Sequence, residues 1–437
     1  MSRRFNVVAA ICWAAALGAL LTAGSALAAF PGTNGKIAYI HQPGSSNIDI
    51  FAMDPTGLNK MALTSTADDD FDPTWSADGE KVAFSRYAPG SAFGQIWVMN
   101  YDGTGQTQLT SPPAPNDDFN PAFSPDGTRI AFQRYDGSDS QIFIMNANGT
   151  GQTQLTFPGT GESSRSPSFS PNGQKIVFAH EPPPAGFDGI SVMNPDGSGQ
   201  TALTTGSATS QDLAPNFSPN GQKIVFDRYD GSQDDIFVMN ADGSGQTPVT
   251  SGPEDDVSPV FSPEGTQVAF ERENAANTFG NIFLADPGGL NQGLTALTSN
   301  SAAGAYDYAP NWQPLNPPDC DLTGKATSKS VKRVSVTVTC TNENAAAVLD
   351  GSGKAPKAPK GAVASKAKKF TIPPVTSQVA ANAPTTITLK VSKKGQKALK
   401  KAAAAGKKGK ATITATLTDD LGQSSNATFK VKFKAKK

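Results

Sequence analysis

Histidine is almost missing from this 437-residue chain, which has only His41 and His180. Cysteine is scarce as well: there are three, and Cys12 falls in an apolar stretch at the N-terminus. With so few imidazoles and thiols there is no HExxH helix, no CxxC pair and no histidine cluster to hold a zinc ion. No G-x-S-x-G elbow occurs, which excludes the nucleophile of an α/β-hydrolase domain. Beyond the N-terminal stretch no apolar run is long enough to span a bilayer.

That N-terminal stretch has its own logic. Arg3 and Arg4 give a positive start, an apolar run follows from Val7 to Leu21, and Ala26-Leu27-Ala28 supplies the small residues of a cleavage site. Residues 1–28 therefore read as a secretory signal, leaving no transmembrane span once cleaved. The expected location is periplasmic, cell-envelope or extracellular.

What the chain has in abundance is repetition. A phrase reads PTWSADGEKVAF at 73–84, PAFSPDGTRIAF at 121–132, PSFSPNGQKIVF at 167–178, PNFSPNGQKIVF at 215–226 and PVFSPEGTQVAF at 259–270. Its opening prolines are 48, 46, 48 and 44 residues apart. Each repeat holds four strand-like runs parted by Pro-Asp-Gly, Asp-Gly or Asn-Gly turns, as in PAFS (121–124), TRIAFQR (128–134), QIFIMN (141–146) and QTQLT (152–156). Four antiparallel strands per copy make a propeller blade. Second strands and third strands can each be counted six times. The first copy lacks its opening strand, and YAPNWQP (308–314) at the far end is expected to supply it and close the ring. Aromatic residues recur at fixed phase, as at Trp75, Phe123, Phe169, Phe217, Phe261 and Trp312, and are expected to pack between blades.

The PxFSPDGxxIAF phrase, followed by a xIFVMN strand and a DGSGQTxLT end, resembles the TolB-type, WD40-like propeller repeat. The resemblance covers about 30–314 and implies a six-bladed propeller. The separate α/β domain that precedes the propeller of TolB has no counterpart in this reading, which runs from the signal into blade one.

Two repeat-equivalent positions are candidate site residues. The end of each second strand carries His41, Arg86, Arg134, His180, Arg228 and Arg272. The loop before each first strand carries Asp70, Asp118, Ser164, Asp212, Asp256 and Asp307. Alternating Arg and Asp near the channel suits a latch between blades. The same aspartates, with Asp68, Asp69, Asp72, Asp117, Glu254 and Asp255, can instead form an acidic rim that binds calcium, a peptide or a protein. The Asp-Gly turns at Asp102, Asp196 and Asp242 imitate calcium loops but are explained by hairpin chemistry.

Charge divides the chain. Residues 29–317 carry 11 Lys or Arg against 32 Asp or Glu, and residues 318–437 carry 24 against 6. The basic part has strand-like runs at 335–340, 385–392, 411–417 and 427–434, and a short helix is expected between 395 and 406. Its low-complexity run 351–369 is expected to be a mobile loop. The whole reads as a small lysine-rich β-sandwich of immunoglobulin-like kind, with Cys320 and Cys340 bridged. A bridge over that loop would contribute roughly 3 kcal/mol. No aromatics interleave the lysines, so nucleic acid is not the expected partner; an anionic envelope polymer or lipid surface is.

The fold class expected is all-β, a propeller over 29–317 followed by the sandwich over 318–437. The function expected is non-catalytic binding or scaffolding, with no cofactor and with calcium as an option. The alternative is an envelope-glycan hydrolase or lyase using two rim carboxylates.

Overall fold

Apolar residues that recur at strand spacing become strands in the computed structural model. The residues it describes are 30–315 without 31, 45–46, 158–161, 183–185, 277 and 302–303, and beyond these the backbone of 320–323, 333–340, 345–355, 368–379, 385–390, 409–419 and 424–433. The signal assigned to 1–28 and the helix expected at 395–406 lie outside the described residues. The chain divides into two compact units, Met1–Leu315 and Asn316–Lys437.

The first unit opens with β1 (Thr33–Pro43), β2 (Asp49–Met53) and β3 (Met61–Ala62). Four four-stranded sheets follow, each in simple sequential order. They are β4 (Asp69–Trp75), β5 (Lys81–Tyr87), β6 (Gln95–Asn100) and β7 (Thr107–Gln108); then β8 (Asp117–Phe123), β9 (Arg129–Tyr135), β10 (Ser140–Asn146) and β11 (Thr153–Gln154). Next come β12 (Ser163–Phe169), β13 (Ile176–Glu181), β14 (Gly189–Met193) and β15 (Thr201–Ala202); then β16 (Gln211–Phe217), β17 (Lys223–Tyr229), β18 (Asp234–Asn240) and β19 (Thr247–Pro248). The unit ends with β20 (Asp255–Phe261), β21 (Val268–Glu273), β22 (Gly280–Ala285), β23 (Thr295–Ala296) and β24 (Ala305–Leu315). These last five join the opening three in an eight-stranded sheet of order β20-β21-β22-β24-β1-β2-β3, with β23 pairing β22 off that path. Only one parallel pair, Gly280 with Tyr306, connects β22 to β24.

The first strands pack on one another in succession. β24 lies on β4, β4 on β8, β8 on β12, β12 on β16, β16 on β20, and β20 on β24. The arrangement is an all-β propeller whose sheets stand side by side, so each second strand is covered on both faces. That is why β5 is buried from Val82 to Arg86 rather than alternating. The core fills the gaps between sheets: Trp75 of β4 packs with Ala38, Ile50 and Ala52 of β1 and β2 and with Val82 and Phe84 of its own sheet. Phe169 meets Ala131, Ile142 and Ile144 in the same way. Each large side chain buried there contributes on the order of 1.5–3 kcal/mol.

Two backbone features repeat around the unit. In every first strand the ladder skips at an X-Pro pair, as between Phe71 and Thr74 in β4 and between Phe119 and Ala122 in β8. Proline has no N–H to give the ladder, and the residue before it turns left-handed: Asp72, Asn120, Ser166, Ala214, Ser258 and Ala309 have φ between 45° and 55°. The Asp-Gly hairpin glycines also do more than turn the chain. Gly103, at φ 84°, rests on the backbone carbonyl of Leu63 in the sheet before it, where a Cβ would not fit.

The second unit contains β25 (Cys320–Thr323), β26 (Arg333–Cys340), β27 (Ala345–Ala355), β28 (Lys368–Val379), β29 (Thr385–Lys390), β30 (Gly409–Asp419) and β31 (Ser424–Phe433). They form a three-stranded sheet β25-β26-β29 and a four-stranded sheet β28-β27-β30-β31. Cys320 stands directly opposite Cys340 in the β25–β26 register. The run expected as a mobile loop at 351–369 continues β27 as far as Ala355 and re-enters strand at Lys368; the residues between lie outside the described ones. Among the described residues no helix is long and apolar enough to cross a membrane.

Candidate functional site

The aspartates expected in the loops before the first strands belong to the strands themselves. Asp70 is the second residue of β4 and stands opposite Arg86 of β5. Arg86 donates from Nε to Asp70 Oδ1 at 2.6 Å and from Nη2 to Oδ2 at 2.8 Å. The same fork joins Arg134 to Asp118, Arg228 to Asp212 and Arg272 to Asp256. Each guanidinium also lies against two rings of its own sheet; that of Arg86 is 5.1 Å from the Phe84 ring and 4.8 Å from the Trp97 ring. The latch expected between blades is thus a clamp within one sheet. The physical reason is register, which sets the two residues directly opposite on adjacent strands, within reach of one arginine.

This placement changes what the aspartates can do. Asp70, Asp118, Asp212, Asp256 and Asp307 are at most 2% exposed, so their oxygens serve the sheets and not a solvent-facing rim. Burial pushes the Asp70 and Asp256 carboxyls up against the pull of their arginines. Asp307 takes His41 in place of arginine, with Nδ1 2.6 Å from Oδ1. In the β12–β15 sheet the clamp is dismantled as a set: Ser164 replaces the aspartate, His180 the arginine and Ser191 the second ring, and Ser164 Oγ lies 3.3 Å from His180 Nδ1. Ser164 is itself 2% exposed. Arg165 turns instead to Asp188, and also to Glu181.

The bond between sheets is made one residue earlier. Asp69, Asp117 and Asp255 accept from the backbone N–H of Ile48, Gly94 and Asp234 at 3.0, 2.6 and 3.1 Å, each across a sheet boundary. Ser163 accepts from Ser140 N–H in the same way. The chain answers in the other direction, with Asp70 N–H donating to Ile48 O, Asp118 N–H to Gly94 O and Asp212 N–H to Asp188 O. The signal for this was the Asp-Asp doublet, which reads as a charge cluster until register shows that its two members do different work.

Deeper in, the left-handed residues and the second strands share a polar belt. Asp72 Oδ2 accepts from Ser85 Oγ and from Asn120 N–H. Asn120 Nδ2 donates to Gln133 Oε1 and reaches Ser166 Oγ at 3.5 Å, and Ser166 N–H donates to Gln133 Oε1. Ser258 N–H donates to Asp227 Oδ1. Residues that bond their own repeat-equivalents from sheet to sheet lie nearest the axis. One member of the belt breaks the pattern. Glu271, equivalent to Ser85, Gln133 and Asp227, is buried, and its Oε1 has no hydrogen-bond partner. Burial, and then the charges of Glu273, Asp307 and Asp227, push its carboxyl well above the usual range. Glu273 is pushed up to about 7 by burial and by Asp255 and Asp234. Sequence reasoning passed over Glu271 because it falls just after a repeat phrase, at a position whose residue differs in every copy. Among the described residues no group of three or more His, Cys, Asp or Glu side chains is arranged to hold a metal ion.

Residues 29–213 match the family described as PD40, the TolB beta propeller domain. The fold of this part of the chain is a β-propeller similar to that of TolB. TolB from Acinetobacter baumannii is 21% identical, with a TM-score of 0.52 over 64% of this chain and 67% of that one. Similar scores come from the hydrazine synthase of Kuenenia stuttgartiensis (13% identity, TM-score 0.52, 92% of this chain and 68% of that one) and from the nidogen/laminin complex (9%, 0.50, 63% and 98%). At such identities the TolB-like likeness establishes the fold alone. No curated protein matches the sequence.

Proposed function

We propose that the chain is an exported, non-catalytic binding protein that takes a protein or peptide at the channel face of a six-bladed TolB-like propeller. The blade count rests on six first strands that pack in a closed succession, with the eight-stranded sheet taken as two four-stranded blades joined at one bridge. The observation that carries the function is how the reactive residues are used. Both histidines and all five repeat aspartates are tied into strand-to-strand pairs, while exposed or half-exposed carboxylates such as Asp68, Asp136, Asp230 and Glu254 remain near that end of the sheets. Such a face suits a basic partner better than it suits bond cleavage. The lysine-rich second unit, with its two sheets read as a sandwich and Cys320 bridged to Cys340, would hold an anionic envelope polymer or lipid surface.

The test is capture from an envelope fraction with residues 29–437 as bait, beside a bait carrying Asp68→Asn, Asp136→Asn, Asp230→Asn and Glu254→Gln. A defined protein held by the first bait and lost with the second supports the reading. Capture that ignores the substitutions, or turnover of envelope glycan by the mature chain, overturns it.

A further inference from the structure

The junction between β22 and β24 lacks a device that four of the others have. Where Asp69, Asp117, Ser163 or Asp255 would accept the N–H of the preceding sheet, this junction has Tyr306, opposite Gly280. The neighbouring belt position holds Glu271. Its counterparts Gln133 and Asp227 accept the N–H of a left-handed residue in the next sheet, whereas Glu271 Oε1 accepts from nothing. Tyr308 Oη, on β24, is likewise buried without a partner, and the Glu271 charge acts on it. Two orphaned buried oxygens therefore belong to one junction. Gly280 packs closely against them: a Cβ there would stand 2.9 Å from both Glu271 Oε1 and Tyr306 Cδ1, so a larger residue would displace them. The charges that act on Glu271, from Glu273, Asp307 and Asp227, are all negative, as are the further ones that act on Tyr308, from Asp72 and Asp69.

A buried carboxyl oxygen with no donor, in a negative field, is a place where a hydrogen-bonding cation would be held. We propose that this junction is a receptor for one primary ammonium group, which donates to Glu271 Oε1 and Tyr308 Oη. A guanidinium fits less well. Arginine in this fold is held by both oxygens of one carboxylate between two rings, whereas here two single oxygens come from different strands. The proposal rests on the binding reading above and names the group that is recognised. The ammonium is a lysine side chain or a chain N-terminus of the partner, or belongs to a free amine. Burial keeps a proton on Glu271 when the site is empty, so the ammonium displaces it: carboxylic acid and ammonium give the carboxylate–ammonium pair and a released proton.

The experiment is calorimetric titration of residues 29–437 with n-butylammonium chloride at pH 7, in buffers of different ionisation enthalpy. The expected result is saturable binding with close to one proton released per amine, and no binding of tetramethylammonium, which has the charge but no N–H. Glu271→Gln should weaken binding more than tenfold and Tyr308→Phe several-fold. Glu271→Gln should leave the melting temperature close to that of the parent chain, because a neutral amide replaces a neutral acid of the same shape, and that certifies its fold. Absent binding, or binding untouched by either variant, overturns the proposal even if the chain captures a protein. Competition separates the sources. Displacement by an N-acetylated lysine peptide assigns a side chain, and displacement by a lysine-free peptide with a free amino terminus assigns a chain end. Displacement by neither assigns a free amine, which keeps the site and removes the protein-partner reading.

Discussion

The Asp117 carboxylate accepts the Gly94 N–H at 2.6 Å across the boundary between two sheets, and Tyr87 Oη donates to its other oxygen at 3.2 Å. Burial, against the pull of these two donors, pushes the Asp117 carboxyl up to about 6. A folded value above the unfolded value of about 3.9 means that the native state binds the proton more tightly. Its contribution is therefore complete below about pH 4 and lost as the pH rises through 6. Asp117→Asn should keep an acceptor for Gly94 and remove that loss. Expected is a gain of about 2 kcal/mol at pH 8 and none at pH 4, read by denaturant melts across the pH range.

The Arg–Asp clamps predict a non-additive pair. Arg134→Ala leaves Asp118 buried and unpaired, which costs about 3–5 kcal/mol. Asp118→Ser with Arg134→His copies what the β12–β15 sheet already carries at Ser164 and His180. The double variant should cost less than the single one in urea denaturation, and an additive result would remove the clamp account.

The seam between β1 and β24 is the place where the opening strands meet the end of the unit. Trp312→Ala empties a site only 1% exposed and should cost about 3–5 kcal/mol. Hydrogen exchange should rise first in residues 33–43 and leave β12–β15 protected, since the lost packing lies on β24.

A smaller effect follows from the left-handed residues. Ala214 holds φ at 45°, where a Cβ is strained. Ala214→Gly should cost about 1 kcal/mol less than Ala131→Gly, which places glycine in an ordinary stretch of β9. Thermal melts of the two variants decide it.

In the second unit Cys320 faces Cys340 on paired strands. Residues 29–437 prepared without reductant should take up no thiol reagent until reduced. Immediate labelling of both cysteines would remove the bridge.

Much of this architecture was legible in the repeat. Strands such as β5 and β9, the hairpin turns and the aromatic core follow from local alternation and Asp-Gly or Asn-Gly chemistry, which a sequence displays. Partnership was less legible. Arg86 and Asp70 were matched by repeat position, but whether the pair acts within a sheet or between sheets depends on register, which sixteen residues of spacing cannot reveal. The roles of Asp69 and Asp70 differ because successive strand residues point to opposite faces, and a doublet of identical letters hides that. In the second unit β27 and β28 went unread because Ala, Gly and Lys dilute the strand signal. Glu271 lay in plain view, but only burial makes an unpartnered carboxylate meaningful.

The seam has a further consequence, in the order of events during synthesis. His41 meets Asp307 across 266 residues of chain. β1 through β3 leave the ribosome long before β24 exists, and until then the open side of β1 has no strand to bond. The sheets from β4 to β19 are complete as soon as they emerge, so they can form one after another. The last event is then the joining of the two ends, and its rate is set by a long loop closure that no local improvement in the repeats would shorten. A protein stalled before residue 305 would carry a bare strand edge, ready to pair with another copy stalled at the same point.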